Sequence, residues 1–118
     1  MALTLTETHY PVARLSTVAT EYAVNSRSAS TTRAYRADLE HFTSWCAARG
    51  AVALPALPTT VAEYVAELAD RYKPATIARR LAGISVAHKL AGFDTPTRSE
   101  VVRVVHTGMR RTKGTAPD

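Results

Sequence analysis

The segment KPATIARRLAG places one threonine and two arginines, Thr76, Arg79 and Arg80, on the opening turns of a helix expected to start at Pro74. An exposed helix start carries free backbone N–H groups, which together with a hydroxyl can take phosphate oxygens. An arginine fork matches the paired acceptors on a guanine edge. At helical spacing Thr76, Arg79 and Gly83 fall opposite the apolar stripe Ile77, Leu81, Ile84 and His88, with Arg80 on the flank. Gly83 removes bulk where a backbone could press close. Val86 and Leu90 lean to the same side, so the second half of this helix is expected to be covered by protein.

A second expected helix start has a similar make-up. Thr31, Thr32, Arg33 and Arg36 crowd its first two turns, just after the cap candidates Ser28 and Ser30. Basic groups there oppose the helix dipole by about 0.3–1 kcal/mol, a cost that a docked anion would reverse. The third basic group is the tail MRRTKG, with Arg110, Arg111 and Lys113. The plainer alternative for all three is a face that the arginines merely solubilise.

The distribution of charge favours a polyanion. Net charge is +5, but residues 1–70 carry −2 and residues 71–118 carry +7. Catalytic patterns are missing. None of His9, His41, His88 and His106 is followed three residues later by His or Arg, and neither a Gly-rich phosphate loop nor a Gly-x-Ser-x-Gly elbow is present. The histidines do not stand at metal-ligand spacings, so no metal or other cofactor is expected. His88 lies on an apolar face and reads as a hydrogen-bonded core histidine. Cys46, beside Trp45 on the inward side of its helix, reads as core rather than as a reactive thiol. One cysteine permits no internal disulfide and suits a reducing cytoplasm, the expected location. No apolar run is long enough to cross a membrane, and the start MALTLTETHY lacks the layout of a signal peptide.

The elements that position these residues are all helices. With 46% apolar and 21% charged residues, 118 residues suffice for one packed core. Residues 1–12 read as a loose arm, 13–113 as the helical domain and 114–118 as the start of a linker. A first helix over about 13–24 offers Leu15, Val18, Ala19 and Tyr22. A second over 31–49 carries the stripe Tyr35, Leu39, Phe42, Trp45 and Cys46, with Arg33, Arg36, Glu40 and Thr43 facing away, and Gly50 stops it. After the proline-broken AVALPALP, a capping box from Thr60 to Glu63 is expected to open a third helix, with Val61, Tyr64, Val65 and Leu68 inward. The fourth starts at Lys73-Pro74 and ends at Gly92. A second box, Thr97 to Glu100, is expected to open the fifth, with Val101, Val105 and Met109 inward and Arg103, His106, Arg110 and Lys113 on another face. The expected fold is all-α, a compact bundle of about five helices.

Taken in order, Ser-x-x-Thr-x-Arg-x-Tyr before an aromatic helix, a proline-broken link, a short helix, and then KPATIARRLAGISVAHKLAGFDTPTRSEVVRVVHTGMRR form a pattern. It resembles the SAM-like core-binding domain of the tyrosine recombinases (the phage-integrase family), nearest to the Cre type, from about Ser28 to Lys113. The resemblance implies one half of a clamp around double-stranded DNA. It puts Thr31, Arg33, Ala34 and Arg36 of the second helix and Thr76, Arg79 and Arg80 of the fourth on that DNA, with Arg110, Arg111 and Lys113 along its backbone. It also implies a downstream catalytic domain of the same polypeptide and a homo-tetramer on DNA. The family's reaction, a tyrosine attack assisted by arginines, a lysine and a histidine without metal or ATP, does not carry over. The last tyrosine is Tyr72 and no His-x-x-Arg occurs, so the chain is read as a non-catalytic fragment of a longer enzyme. Two rivals stand beside this reading: a helical protein-interaction module with an acidic partner, and a dimeric DNA-binding regulator.

Overall fold

Apolar residues recurring every three or four positions fold into five α-helices around one core, in a computed structural model that describes residues 15–114. The expected arm over 1–12 and residues 115–118 of the expected linker lie outside the described residues. The helices are α1 (Thr17–Asn25), α2 (Ala29–Ala48), α3 (Pro58–Leu68), α4 (Pro74–Leu90) and α5 (Glu100–Lys113), with a 3-10 turn over Pro96–Arg98. No strand occurs among the described residues. The fold class is all-α.

Two helix pairs make the body: α2 packs on α4, and α3 packs on α5. Phe42 and Cys46 from α2, Val61, Tyr64 and Val65 from α3, Ile77 and Ile84 from α4 and Val102 from α5 are buried together. Each large apolar side chain removed from water here contributes about 1.5–3 kcal/mol. Cys46 and His88 are both wholly buried, as core residues should be. His88 is fully satisfied. Its Nδ1 lies 2.8 Å from the Ile84 carbonyl and its Nε2 accepts the Ala56 N–H at 2.9 Å, so the ring is neutral, with Nδ1 donating. Burial accordingly lowers its pKa.

Four expectations about the elements are corrected. The apolar face expected of α1 packs on little: Val18 and Tyr22, and Leu15 just ahead of the helix, are exposed, because α1 packs chiefly on α2. There the Thr32 hydroxyl donates to the Val24 carbonyl. The capping box from Thr60 to Glu63 does not form, because α3 starts earlier, with Pro58 in its first turn and Leu57 as an N-cap that makes no side-chain bond. The box from Thr97 to Glu100 gives way to a 3-10 turn capped by Thr95, and Ser99 caps α5 instead. Ser28 does cap α2, accepting the Thr31 N–H. Finally, Gly83 lies on no open face of α4: it is buried against α2, where a Cβ would stand 3.5–3.6 Å from Tyr35. The backbone that presses close is that of α2.

Candidate nucleic-acid interface

A carboxylate on the inner face of α2 organises the site. Asp38 falls between Tyr35 and Phe42 on the buried stripe and is 4% exposed. An unpaired charge there would be costly, so partners are required. Arg79 of α4 supplies a two-pronged bond, Nε to Oδ2 at 2.8 Å and Nη2 to Oδ1 at 2.9 Å. Arg80 stands on the other side, with Nε 3.7 Å from Oδ1.

The two arginines differ in what they leave free. Arg80 is largely enclosed, its side chain 11% exposed. Its guanidinium lies over the Tyr72 ring at 4.3 Å and donates to the Tyr64 hydroxyl at 3.3 Å and to His41 Nδ1 at 2.9 Å. The Tyr64 hydroxyl, 2.6 Å from the same Nδ1, donates its own hydrogen there, which leaves His41 with its proton on Nε2. Burial and the adjacent Arg80 both lower the His41 pKa. Burial raises that of Tyr64, against a lowering by the bond from Arg80. Arg79, by contrast, keeps half of its side chain in solvent while its head is fixed. Its pKa is raised, first by the hydrogen bond to Asp38 and then by that residue's charge.

The contacts also fix the direction of each helix. Gly83 meets Tyr35, Arg79 meets Asp38 and Arg80 meets His41, so α2 and α4 run antiparallel. The starts of α2 and α4, both expected on DNA, therefore lie toward opposite ends of the pair. Arg33 is exposed on the outer side of α2. Arg36 lines an apolar groove with Val86 and Leu90, which are partly covered as expected. Thr31 and Ala34 are half-buried on the line of α2 that leads to Asp38 and His41. The Thr31 hydroxyl is engaged by Ser28.

The start of α4 instead shares an end with the last turn of α5. The Lys113 ammonium donates to the Ala69 carbonyl at the C-cap of α3, and the chain needs only the short turn 70–73 from there to reach Thr76. Cations suit a helix C-terminus, where the carbonyls are unsatisfied. Arg110 and Arg111 are exposed beside it and form no ion pair among the described residues. Exposed Arg71 and Lys73 add to this basic end. His106 departs from the expected open stripe: its Nε2 is buried with no hydrogen-bond partner, and burial and Arg110 lower its pKa.

Residues 22–93 match the model of the phage integrase N-terminal SAM-like domain. The chain belongs to the phage-integrase (tyrosine recombinase) family. It is also similar to the integrase/recombinase xerD homolog of Selenomonas ruminantium, 38% identical over 105 residues. That alignment covers 86% of this chain and 31% of the relative, so the chain spans about a third of the length of the curated relative it matches. The matched part of the phage-integrase domain holds α2, α3 and α4, and with them every member of the Asp38 cluster. The basic end of α5 lies beyond it.

Sequence reasoning missed Asp38, Tyr64, His41 and Tyr72 as members of the site. One signal was available: an ionised residue at a stripe position requires a partner of opposite charge. Among the described residues no three His, Cys, Asp or Glu side chains gather as metal ligands, and no helix is long and apolar enough to cross a membrane.

Proposed function

We propose that this domain binds duplex DNA at a recombination site and clamps it for strand cleavage by a catalytic domain of the same polypeptide. The observation that supports the reading is the basic end of a phage-integrase domain, where Lys113 in the last turn of α5 reaches the Ala69 carbonyl just ahead of the start of α4, with exposed Arg79, Arg110 and Arg111 on those two helices. Arg79 meets the DNA directly. Arg80 supports it from behind, held by Asp38, Tyr64 and Tyr72. Arg110, Arg111 and Lys113 follow the backbone into a linker over 114–118.

Thr31, Arg33, Ala34 and Arg36 take a separate stretch of the same duplex. With Tyr35 against Gly83 and Asp38 against Arg79, antiparallel packing sets the centre of Thr31–Arg36 roughly 10 Å from that of Thr76–Arg80 along α4, from the helical rise. By the same family likeness the parent enzyme assembles as a homo-tetramer on DNA, and exposed Val18 and Tyr22 of α1 offer apolar surface for such contacts. The setting is the cytoplasm, where the unpaired Cys46 stays reduced.

Salt titration of duplex binding tests the reading. If about five phosphates are neutralised, log K falls with log salt at a slope near −4.5. A flat response would overturn the clamp in favour of a protein-interaction module.

A further inference from the structure

We infer that Asp38 is a positioning residue which fixes Arg79 for guanine recognition, making Arg79 the base-reading side chain of α4. This deepens the DNA-clamp reading and rests on it. A guanidinium has five N–H donors in a rigid plane. Asp38 occupies Nε and one hydrogen of Nη2, along one edge. The second hydrogen of Nη2 and the nearer one of Nη1 then project side by side from the neighbouring edge. That parallel pair fits N7 and O6 of guanine.

Three observations show that the arrangement is built to hold. The carboxylate is buried, so it cannot swing away to follow solvent. Its second partner, Arg80, is locked in turn by Tyr64, Tyr72 and His41. The Arg79 side chain remains half-exposed, and its guanidinium has no hydrogen-bond partner besides Asp38 among the described residues. Together one carboxylate and two arginines still carry a net positive charge, so the anchor does not repel the polyanion it serves. An arginine ordered before binding loses less freedom on binding, and its plane is set before a base arrives.

The test uses the full chain and a pool of duplexes randomised in sequence, with the bound fraction sequenced. The wild type should enrich guanine at one position of the recovered site. Asp38→Asn, with helix content verified by circular dichroism, should flatten that preference by about 5- to 150-fold, the range for losing a two-pronged base contact. Its affinity for the unselected pool should hold or rise, because a negative charge has gone. Arg79→Lys, which keeps the charge and loses the fork, should flatten the preference in the same way.

A uniform loss of affinity with the guanine preference intact would mean a structural role for Asp38 only, and would overturn the proposal. If Asp38→Asn does not fold, an unchanged guanine preference in Arg79→Lys overturns it alone. A wild-type chain that binds the pool with no guanine preference marks Arg79 as a phosphate contact and leaves the clamp standing. A wild type that binds no duplex sinks the clamp as well.

Discussion

Arg79 and Arg111 are the same side chain, both exposed, at the same end of the bundle, yet one is fixed and the other is not. Asp38 and its neighbours hold the head of Arg79 in a set plane. Arg111 stands on the last turn of α5 with no ion pair among the described residues. A mobile cation attracts any phosphate within reach and discriminates little between sequences. A fixed fork discriminates, and its cost is a buried carboxylate that the fold must keep paired. The contrast divides the basic half of this chain into a part that can specify and a part that can only attract.

The largest expected effect breaks the fixed side. Asp38→Ala leaves Arg80 enclosed without its counter-charge and should cost about 3–5 kcal/mol in urea unfolding. Arg111→Ala should stay within about 0.5 kcal/mol of wild type. Next come the binding variants. Arg79→Ala should weaken binding to a selected site by about 1–3 kcal/mol. Arg111→Ala should weaken binding to all sequences alike and make the salt slope shallower by about 0.9. Equal behaviour of the two variants would erase the distinction.

Acid titration sharpens it further. The pKa values of His41, His88 and His106 are all lowered, chiefly by burial, from the ordinary value of 6.5. The unfolded chain therefore binds more protons than the native one as pH falls through 6.5, so stability present above that pH is lost below it. One such histidine contributes at most about 1.4 kcal/mol per pH unit. His88→Gln should flatten the acid side of a thermal-midpoint curve measured against pH. The smallest effects come from two helical glycines. Gly108→Ala projects into open space and should stabilise by about 0.5–1 kcal/mol. Gly83→Ala meets Tyr35 at ordinary contact distance and should gain no more than that, since the polar junction tolerates little shift.

Much of the bundle was legible because burial writes itself into spacing. Phe42 and Cys46 on α2, the Val61/Tyr64/Val65/Leu68 face of α3 and the Ile77/Leu81/Ile84/His88 face of α4 are buried where the periodicity puts them. What spacing lacks is any record of which helix meets which, and in what direction. Nothing in Thr31–Arg36 or Thr76–Arg80 says that α2 and α4 are antiparallel, so the relative placement of the two starts is not legible in the sequence. The helix ends failed for a local reason. Pro58 and Ser99 compete with the Thr60 and Thr97 boxes for the same turns, and the geometry of the entering chain decides between them. In α1, amphipathic spacing is present without a partner for most of its length. Asp38 was readable in principle, as a charge on an apolar stripe, but its partners lie about forty residues away in sequence.

The single tryptophan of the chain, Trp45, sits at the seam between α2 and α3, with Glu67 accepting its indole N–H at 3.0 Å, Arg49 over its ring at 4.2 Å and the Tyr64 ring 5.0 Å away. The seam therefore contains its own optical reporter. Tyrosine excitation should pass to Trp45 by energy transfer, and its emission should register whether α2 and α3 remain docked. A variant at Asp38 that frees Arg79 while leaving this emission unchanged has altered the fork alone, and one that shifts it has loosened the frame that carries the fork.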